Sequence, residues 1–210
     1  MTADRHITLF HAPRTRSTGV ISLLEELGAD YELHVLNTKA GEHRAPAYLS
    51  VNPMGKVPAI KHGDAIVTEQ AAIYMYLADL YAEANLAPAL NDPLRGPYLR
   101  WMVYYGSAFE PAIVDFAEKR EATNLMLSPY GSYQTVMDAL TAQLSQGPYF
   151  LGNRFTALDV LWGSALGWTM RFGIVPENPV FSQYVKTISA RPAIATARAK
   201  DKELAAQQAS

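Results

Sequence analysis

Two short segments of this 210-residue chain hold residue types at spacings that suit ligand chemistry. In Asn52-Pro53-Met54-Gly55-Lys56-Val57-Pro58-Ala59-Ile60, a glycine turn, an X-Pro bond and an apolar strand start are compressed into a few residues. Proline cannot donate to a sheet ladder, so Pro58 must begin the strand, and a tight entry of this kind is where a cis bond is tolerated. A cis Val57–Pro58 peptide turns the Val57 backbone outward, where its N–H and C=O can pair with an extended, peptide-like ligand. A plain Pro-Gly loop accounts for the same residues equally well. In Thr68-Glu69-Gln70-Ala71-Ala72-Ile73, a polar triplet meets an apolar-periodic helix. Thr68 is the expected N-cap, and the N–H groups of the first turn form an anion site for a carboxylate. Glu69 there suits the helix dipole, or else pairs with a ligand amine.

Other chemistries are excluded. With no cysteine, the chain has no disulfide framework, no thiolate metal site and no cysteine nucleophile, so any thiol it handles belongs to another molecule. His6, His11, His34, His43 and His62 show no i, i+4 pairing and no H-E-x-x-H, so no metal site is expected. Eighteen basic against 20 acidic residues, with no Lys/Arg run, argue against a nucleic-acid partner. The apolar stretch 157–170 is interrupted by Asp159, Gly163 and Ser164 and is too short for a bilayer span, and the first residues lack a signal peptide's apolar region. A cytoplasmic protein with no membrane partner is expected.

The elements that must carry these segments divide the chain in two. Strand-like runs at Ile7–Phe10, Tyr31–Leu36, Pro58–Lys61 and Ala65–Thr68 make the first part α/β. Val20, Ile21, Leu23, Leu24 and Leu27 recur at helical spacing and Gly28 stops the helix, so the first two strands join as a parallel βαβ unit. Gly63-Asp64 is hairpin chemistry, so the last two strands are antiparallel. Beyond Glu69 the pattern is helical over 69–82, 93–120, 130–146, 156–172, 179–190 and 192–206. The Pro- and Asn-rich stretch 85–92 reads as a linker between a domain at 1–84 and an all-helical domain at 93–210. On the helix over 93–120, Trp101, Tyr105, Phe109 and Phe116 share one face, a pattern more typical of core than of a site, and Tyr104 and Tyr105 cannot both point inward.

Strand, helix, strand, N-P-x-G-K-V-P, hairpin, T-E-Q-A-A-I and then a helical half resemble the cytosolic glutathione transferases over essentially the whole chain. Thr156-Ala157-Leu158-Asp159 after Gly152-Asn153-Arg154-Phe155 strengthens the likeness, because it is similar to that family's buried N-capping motif; Thr156 caps and Asp159 closes a short-armed capping box, for stability and not chemistry. The resemblance implies a thioredoxin-like N-terminal domain, an all-α C-terminal domain, glutathione as co-substrate without a metal, and a homodimer. It implies glutathione contacts at Lys39, Lys56, Val57, Pro58, Glu69 and Gln70, although the family more often has Glu-Ser where this chain has Glu69-Gln70. The family places its catalytic Tyr, Ser or Cys after the first strand, here within Phe10-His11-Ala12-Pro13-Arg14-Thr15-Arg16-Ser17-Thr18, which contains neither Tyr nor Cys. The resemblance is therefore to a bacterial, Ser/Thr-type site, with Thr15 or Ser17 facing the sulfur unless Ser17 or Thr18 caps the helix instead. Arg14 and Arg16 beside a helix start favour a thiolate, Arg16 being the catalytic candidate. An electrophile pocket, which the family puts between its domains, would draw on Tyr104, Tyr105, Phe109 and Trp168. The implied reaction is conjugation of the glutathione thiolate to a small apolar electrophile, as in detoxification. Glutathione-dependent disulfide or peroxide reduction, or a binding protein without activity, are the alternatives.

Overall fold

The structure, a computed structural model, describes residues 5–120 and 124–208. It divides into two compact units, one of residues 1–86 together with 191–210 and one of residues 87–190.

In the first unit the expected strands form: β1 (Ile7–His11), β2 (Tyr31–Val35), β3 (Ala59–His62) and β4 (Ala65–Val67). The sheet order is β2-β1-β3-β4. β1 and β2 are parallel, with Leu9 opposite Leu33. β3 runs antiparallel to β1, with Leu9 opposite Ile60, and β4 closes the hairpin. β1 alternates inward at Ile7, Leu9 and His11, all fully buried. That face receives α1 (Ser17–Leu27), whose Val20, Ile21, Leu23 and Leu24 are also fully buried, and α3 (Gln70–Leu80), which contributes Ile73 and Leu77. Gly28 ends α1 in the left-handed conformation expected of a C-terminal glycine. Phe10, Leu36, Tyr48 and Ala59 form a smaller core with Val51 and Val57 against it. Tyr48 belongs to α2 (Pro46–Leu49), a short helix that the sequence pattern does not reveal.

The second unit contains α4 (Arg95–Tyr104), α5 (Glu110–Ala117), α6 (Tyr133–Leu144), α7 (Ala157–Arg171) and α8 (Pro179–Ser189). The expected single helix over 93–120 is instead α4 and α5 joined by a π-helical stretch, Tyr105–Phe109. Its wider turn changes the phase of everything after it. Trp101, Tyr105 and Phe109 stay buried as expected, but Phe116 rotates out, is 48% exposed and stacks on Tyr133. Trp162 of α7 is the hub of this core, ringed by Trp101, Tyr105, Phe109 and Phe150 with centroids 5.0–6.2 Å away.

Thr156 and Asp159 form the expected capping box at the start of α7, both fully buried. The carboxylate does more than the motif requires. It accepts Thr156 N–H and Phe150 N–H, each at 2.8 Å, and the Tyr184 hydroxyl of α8 at 3.0 Å. Burial pushes the Asp159 carboxyl up to about 6 against the pull of these donors.

The last helix, α9 (Pro192–Gln207), departs from the expected 93–210 domain. It packs along α1, and residues 191–210 belong to the first unit. Arg191 makes a bidentate pair with Glu26 at 2.5 and 2.7 Å, and Lys200 reaches Glu25 at 2.6 Å. A helix so held becomes part of whatever the start of α1 builds.

Candidate functional site

The strand entry before β3 is held by its own side chains. Asn52, buried, donates from Nδ2 to the Lys56 carbonyl at 2.8 Å and accepts Met54 N–H at 3.1 Å. The Tyr48 hydroxyl donates to the same carbonyl at 2.6 Å, and burial raises its pKa to about 12, so it remains a donor at any ordinary pH. Gly55 turns the chain at φ +60°, where an added Cβ would meet the His43 carbonyl at 2.8 Å; only glycine fits. The Val57–Pro58 peptide is cis, as expected. The ladder to β1 begins at Ala59, opposite Phe10, and Val57 lies two residues before it with its side chain on the small core. Its backbone is thus fixed but outside the sheet. Lys39 and Lys56 are exposed, and Asn37 Oδ1 accepts the Lys39 and Ala40 N–H groups at 3.0 and 3.1 Å, shaping the turn that presents Lys39.

At the start of α3 the cap position is Glu69, not Thr68 as expected. Glu69 adopts φ +64° and ψ +115°, and its side chain makes no bond to the helix start. This backbone is strained for a residue with a Cβ, costing on the order of 1–3 kcal/mol, and such strain gathers at ligand clamps. The Glu69 side chain is exposed at the N-terminal end of α3. Gln70 Nε2 donates to the Arg16 carbonyl at 3.3 Å, joining this turn to the start of α1.

The loop from β1 to α1 carries the hydroxyl candidates. The cap position of α1 is Arg16, without a side-chain bond, so neither Ser17 nor Thr18 caps the helix. Thr15 is half-buried; its Oγ1 donates to the Ala12 carbonyl at 2.7 Å and accepts Ser17 N–H at 3.3 Å. Ser17 is fully buried, its Oγ 2.7 Å from Thr15 Oγ1, 2.8 Å from His11 Nδ1 and accepting Ala12 N–H at 3.2 Å. Both hydroxyls are engaged within the loop, and Thr15 is the more accessible of the two. Arg14 and Arg16 are both exposed, and Arg14 sits at φ +60°.

Two residues of this loop's surroundings escape sequence reasoning. His11 is completely buried, and Asp201 of α9 accepts Arg14 N–H at 3.1 and 3.2 Å and the Thr18 hydroxyl at 2.5 Å. The inward alternation 7, 9, 11 of β1 is the signal that marks His11 as buried and in need of a partner. No local pattern points to Asp201, because its partners lie more than 180 residues earlier in the chain.

In the second unit the aromatic candidates separate. Phe109 is fully buried and Tyr105 nearly so, both against Trp162, which makes them core and corrects the expectation that they line a pocket. Tyr104 is half-buried, with burial raising its hydroxyl pKa, and Trp168 is 37% exposed against Phe172.

A mixed four-stranded sheet with a parallel βαβ start, a cis-proline strand entry and a following helical unit define a thioredoxin-like domain joined to an all-helical one. Residues 5–79 match the family described as glutathione S-transferase, N-terminal domain. A sphingomonad glutathione S-transferase solved with glutathione is 30% identical, with a TM-score of 0.77 over 93% of this chain and 98% of that one. A glutathione transferase from Methylococcus capsulatus is 26% identical, with a TM-score of 0.79 over 94% and 99% of the two chains. Among curated proteins, glutathione S-transferase PARB of Nicotiana tabacum is 29% identical over 200 residues, 85% of this chain and 90% of the relative. The chain belongs to the glutathione S-transferase family of transferase enzymes. Among the described residues, no helix is long and apolar enough to cross a membrane.

Proposed function

We propose that the protein binds glutathione on its first unit and transfers the thiolate to a small apolar electrophile, working as a homodimer in the cytoplasm and without a metal. The observation that carries this reading is the strained Glu69 backbone at the start of α3, coupled through Gln70 to the Arg16 carbonyl beside Thr15. Glutathione brings an α-amine and an α-carboxylate on one carbon, a peptide middle and a thiol. Glu69 takes the amine as an ion pair, and the Gln70 N–H with the α3 first turn takes the carboxylate. The outward Val57 backbone pairs with the cysteinyl part in strand-addition fashion, Pro58 fixing its direction, with Lys39 and Lys56 as charge partners for the remaining carboxylate. Those contacts direct the sulfur to the start of α1.

There the thiol must lose its proton. A free thiol titrates near 8.5, so at neutral pH most of it is unreactive. The Thr15 hydroxyl, once its proton turns from the Ala12 carbonyl to the sulfur, the first-turn N–H groups of α1 and the Arg16 guanidinium supply hydrogen bonds and positive field that favour the thiolate, a Ser/Thr-type site of the kind expected in a bacterial transferase. Tyr104 and Trp168 are the aromatic side chains left to meet an apolar electrophile. Retention on glutathione-agarose followed by a conjugation assay tests the reading. Binding with disulfide reduction but no conjugation transfers the chain to the reductase alternative, which the absence of Tyr and Cys from residues 10–18 favours. Binding with neither activity leaves a binding protein.

A further inference from the structure

The β1–α1 loop is tied to the far end of the chain by one carboxylate. Asp201 lies on α9, which is clamped to α1 by the Arg191–Glu26 and Lys200–Glu25 pairs. Its oxygens accept Arg14 N–H at 3.1 and 3.2 Å and the Thr18 hydroxyl at 2.5 Å, and Oδ1 lies 3.4 Å from His11 Nε2. Arg14 and Thr18 flank Thr15 on both sides. Arg14 is held at φ +60°, a conformation that an arginine keeps only when its surroundings impose it.

His11 continues the connection. Its ring is completely buried, with Nε2 toward the Asp201 carboxylate and Nδ1 2.8 Å from Ser17 Oγ, itself 2.7 Å from Thr15 Oγ1. Nε2 faces the Asp201 carboxylate, where an N–H is favoured over a lone pair, and Nδ1 lies within hydrogen-bond distance of Ser17 Oγ. Polar groups thus follow one another from α9 through His11 and Ser17 to Thr15, the step from Asp201 to His11 Nε2 being a 3.4 Å charge approach and not a hydrogen bond.

We infer that Asp201 is a positioning residue for thiol activation, holding the loop from Arg14 to Thr18 and, through His11 and Ser17, the Thr15 hydroxyl where the glutathione sulfur arrives. The inference rests on the glutathione reading of the site. It assigns to the last helix a role in turnover more than in glutathione affinity, because Val57 and Glu69 lie outside the network and Gln70 meets it only through the Arg16 carbonyl. Small losses of position in a reacting group are expensive, up to roughly a hundredfold for about 1 Å.

The test compares wild type, Asp201→Asn and Asp201→Glu in the intact protein, measuring kcat and KM for glutathione, the pH–rate profile, and the ultraviolet difference absorbance of bound glutathione thiolate. Asp201→Asn is expected to lower kcat by about ten- to a hundredfold, to raise the apparent thiol pKa, and to leave the KM for glutathione within about twofold. Asp201→Glu restores part of the loss. In a Thr15→Ala background Asp201→Asn has little further effect, since both act on one hydroxyl. An unshifted thiol pKa, or losses that multiply in the double variant, overturns the inference. So does a lowered thiol pKa, which would make Asp201 only a like charge near the sulfur. If Asp201→Asn does not fold, Thr18→Val, which removes one of the carboxylate's contacts, must show the same raised pKa in weaker form or the inference fails. Wild-type binding and turnover decide the proposed function; the variant comparison decides this one.

Discussion

The Gln70 side-chain amide donates to the Arg16 carbonyl at 3.3 Å, so the first turns of α3 and α1 are held as one piece. On the proposed reading, the γ-glutamyl head and the sulfur of glutathione both fall on this connected surface. Two helix N-termini brought together concentrate partial positive charge, and an anionic ligand gains from both.

Glu69 is the first residue to test on that surface. Removing its carboxylate with Glu69→Ala should weaken glutathione binding by roughly 1.5–3 kcal/mol, the range for a hydrogen bond to a charged group. Glu69→Gly separates binding from strain. At φ +64° glycine relieves the Cβ penalty, so this variant should be at least as stable as Glu69→Ala while binding glutathione equally poorly. Calorimetry and thermal melting on the pair decide it, and an unchanged dissociation constant reduces Glu69 to a helix-end charge.

How much of this was legible in the sequence depended on whether the cause was local. Gly28 and the hairpin at Gly63-Asp64 act within a few residues, and the strands and α1 follow directly. Thr156 and Asp159 sit three apart and their box forms as expected. The π-helical stretch at Tyr105–Phe109 has no composition cue, so a helical period that is right up to Phe109 puts Phe116 on the wrong face. The Glu69 conformation is imposed by tertiary structure, which moved the cap away from Thr68 against a sound local preference. Asp201 is the furthest case. A single carboxylate on a polar helix carries no mark of its role until α9 packs on α1.

Close helix packing gives a second prediction. A Cβ at Gly163 of α7 would meet Ile188 of α8 at 2.5–3.0 Å, so the two helices approach there through the absence of a side chain. Gly163→Ala should destabilise the protein by about 1–3 kcal/mol despite alanine's better helix propensity. Ile188→Ala removes Cγ2 and Cγ1, the atoms at 2.5 and 3.0 Å, so Gly163→Ala with Ile188→Ala should cost less in a chemical melt than the sum of the two single losses. A neutral single variant would show that α8 shifts freely.

The capping box supplies a stability test with a pH signature. Thr156→Ala should cost ~1 kcal/mol or more with turnover unaffected. Asp159→Asn should cost more, because the amide nitrogen confronts donors from Thr156, Phe150 or Tyr184. Burial raises the folded Asp159 pKa to about 6, above its unfolded value of about 3.9. The folded state then holds the proton more tightly, so this stabilisation is present in full below the unfolded value and is lost as pH rises through about 6. The loss between those limits is about 3 kcal/mol. Chemical melts from pH 4 to 8 should show wild type losing stability relative to Asp159→Asn across that window, and parallel curves would refute the raised pKa.

The last prediction distinguishes the three groups at the start of α1. Thr15 Oγ1 is half-buried and Ser17 Oγ fully so, although the two are only 2.7 Å apart. Removing the Thr15 hydroxyl takes one donor from the sulfur's surroundings and leaves the helix N–H groups in place, so Thr15→Ala should reduce turnover partially and move the apparent thiol pKa upward. Ser17→Ala acts differently. It deprives His11 Nδ1 and Ala12 N–H of a buried partner, so its first effect is a loss of roughly 1–3 kcal/mol in stability, with any fall in turnover following from displacement of Thr15. Arg16→Ala removes an exposed charge, and its effect should shrink as salt is added, whereas that of Thr15→Ala should not. The measurement is the pH–rate profile at saturating glutathione for wild type and the three variants, at low and high ionic strength. If Arg16→Ala shifts the profile and Thr15→Ala does not, the guanidinium and not the hydroxyl activates the thiol.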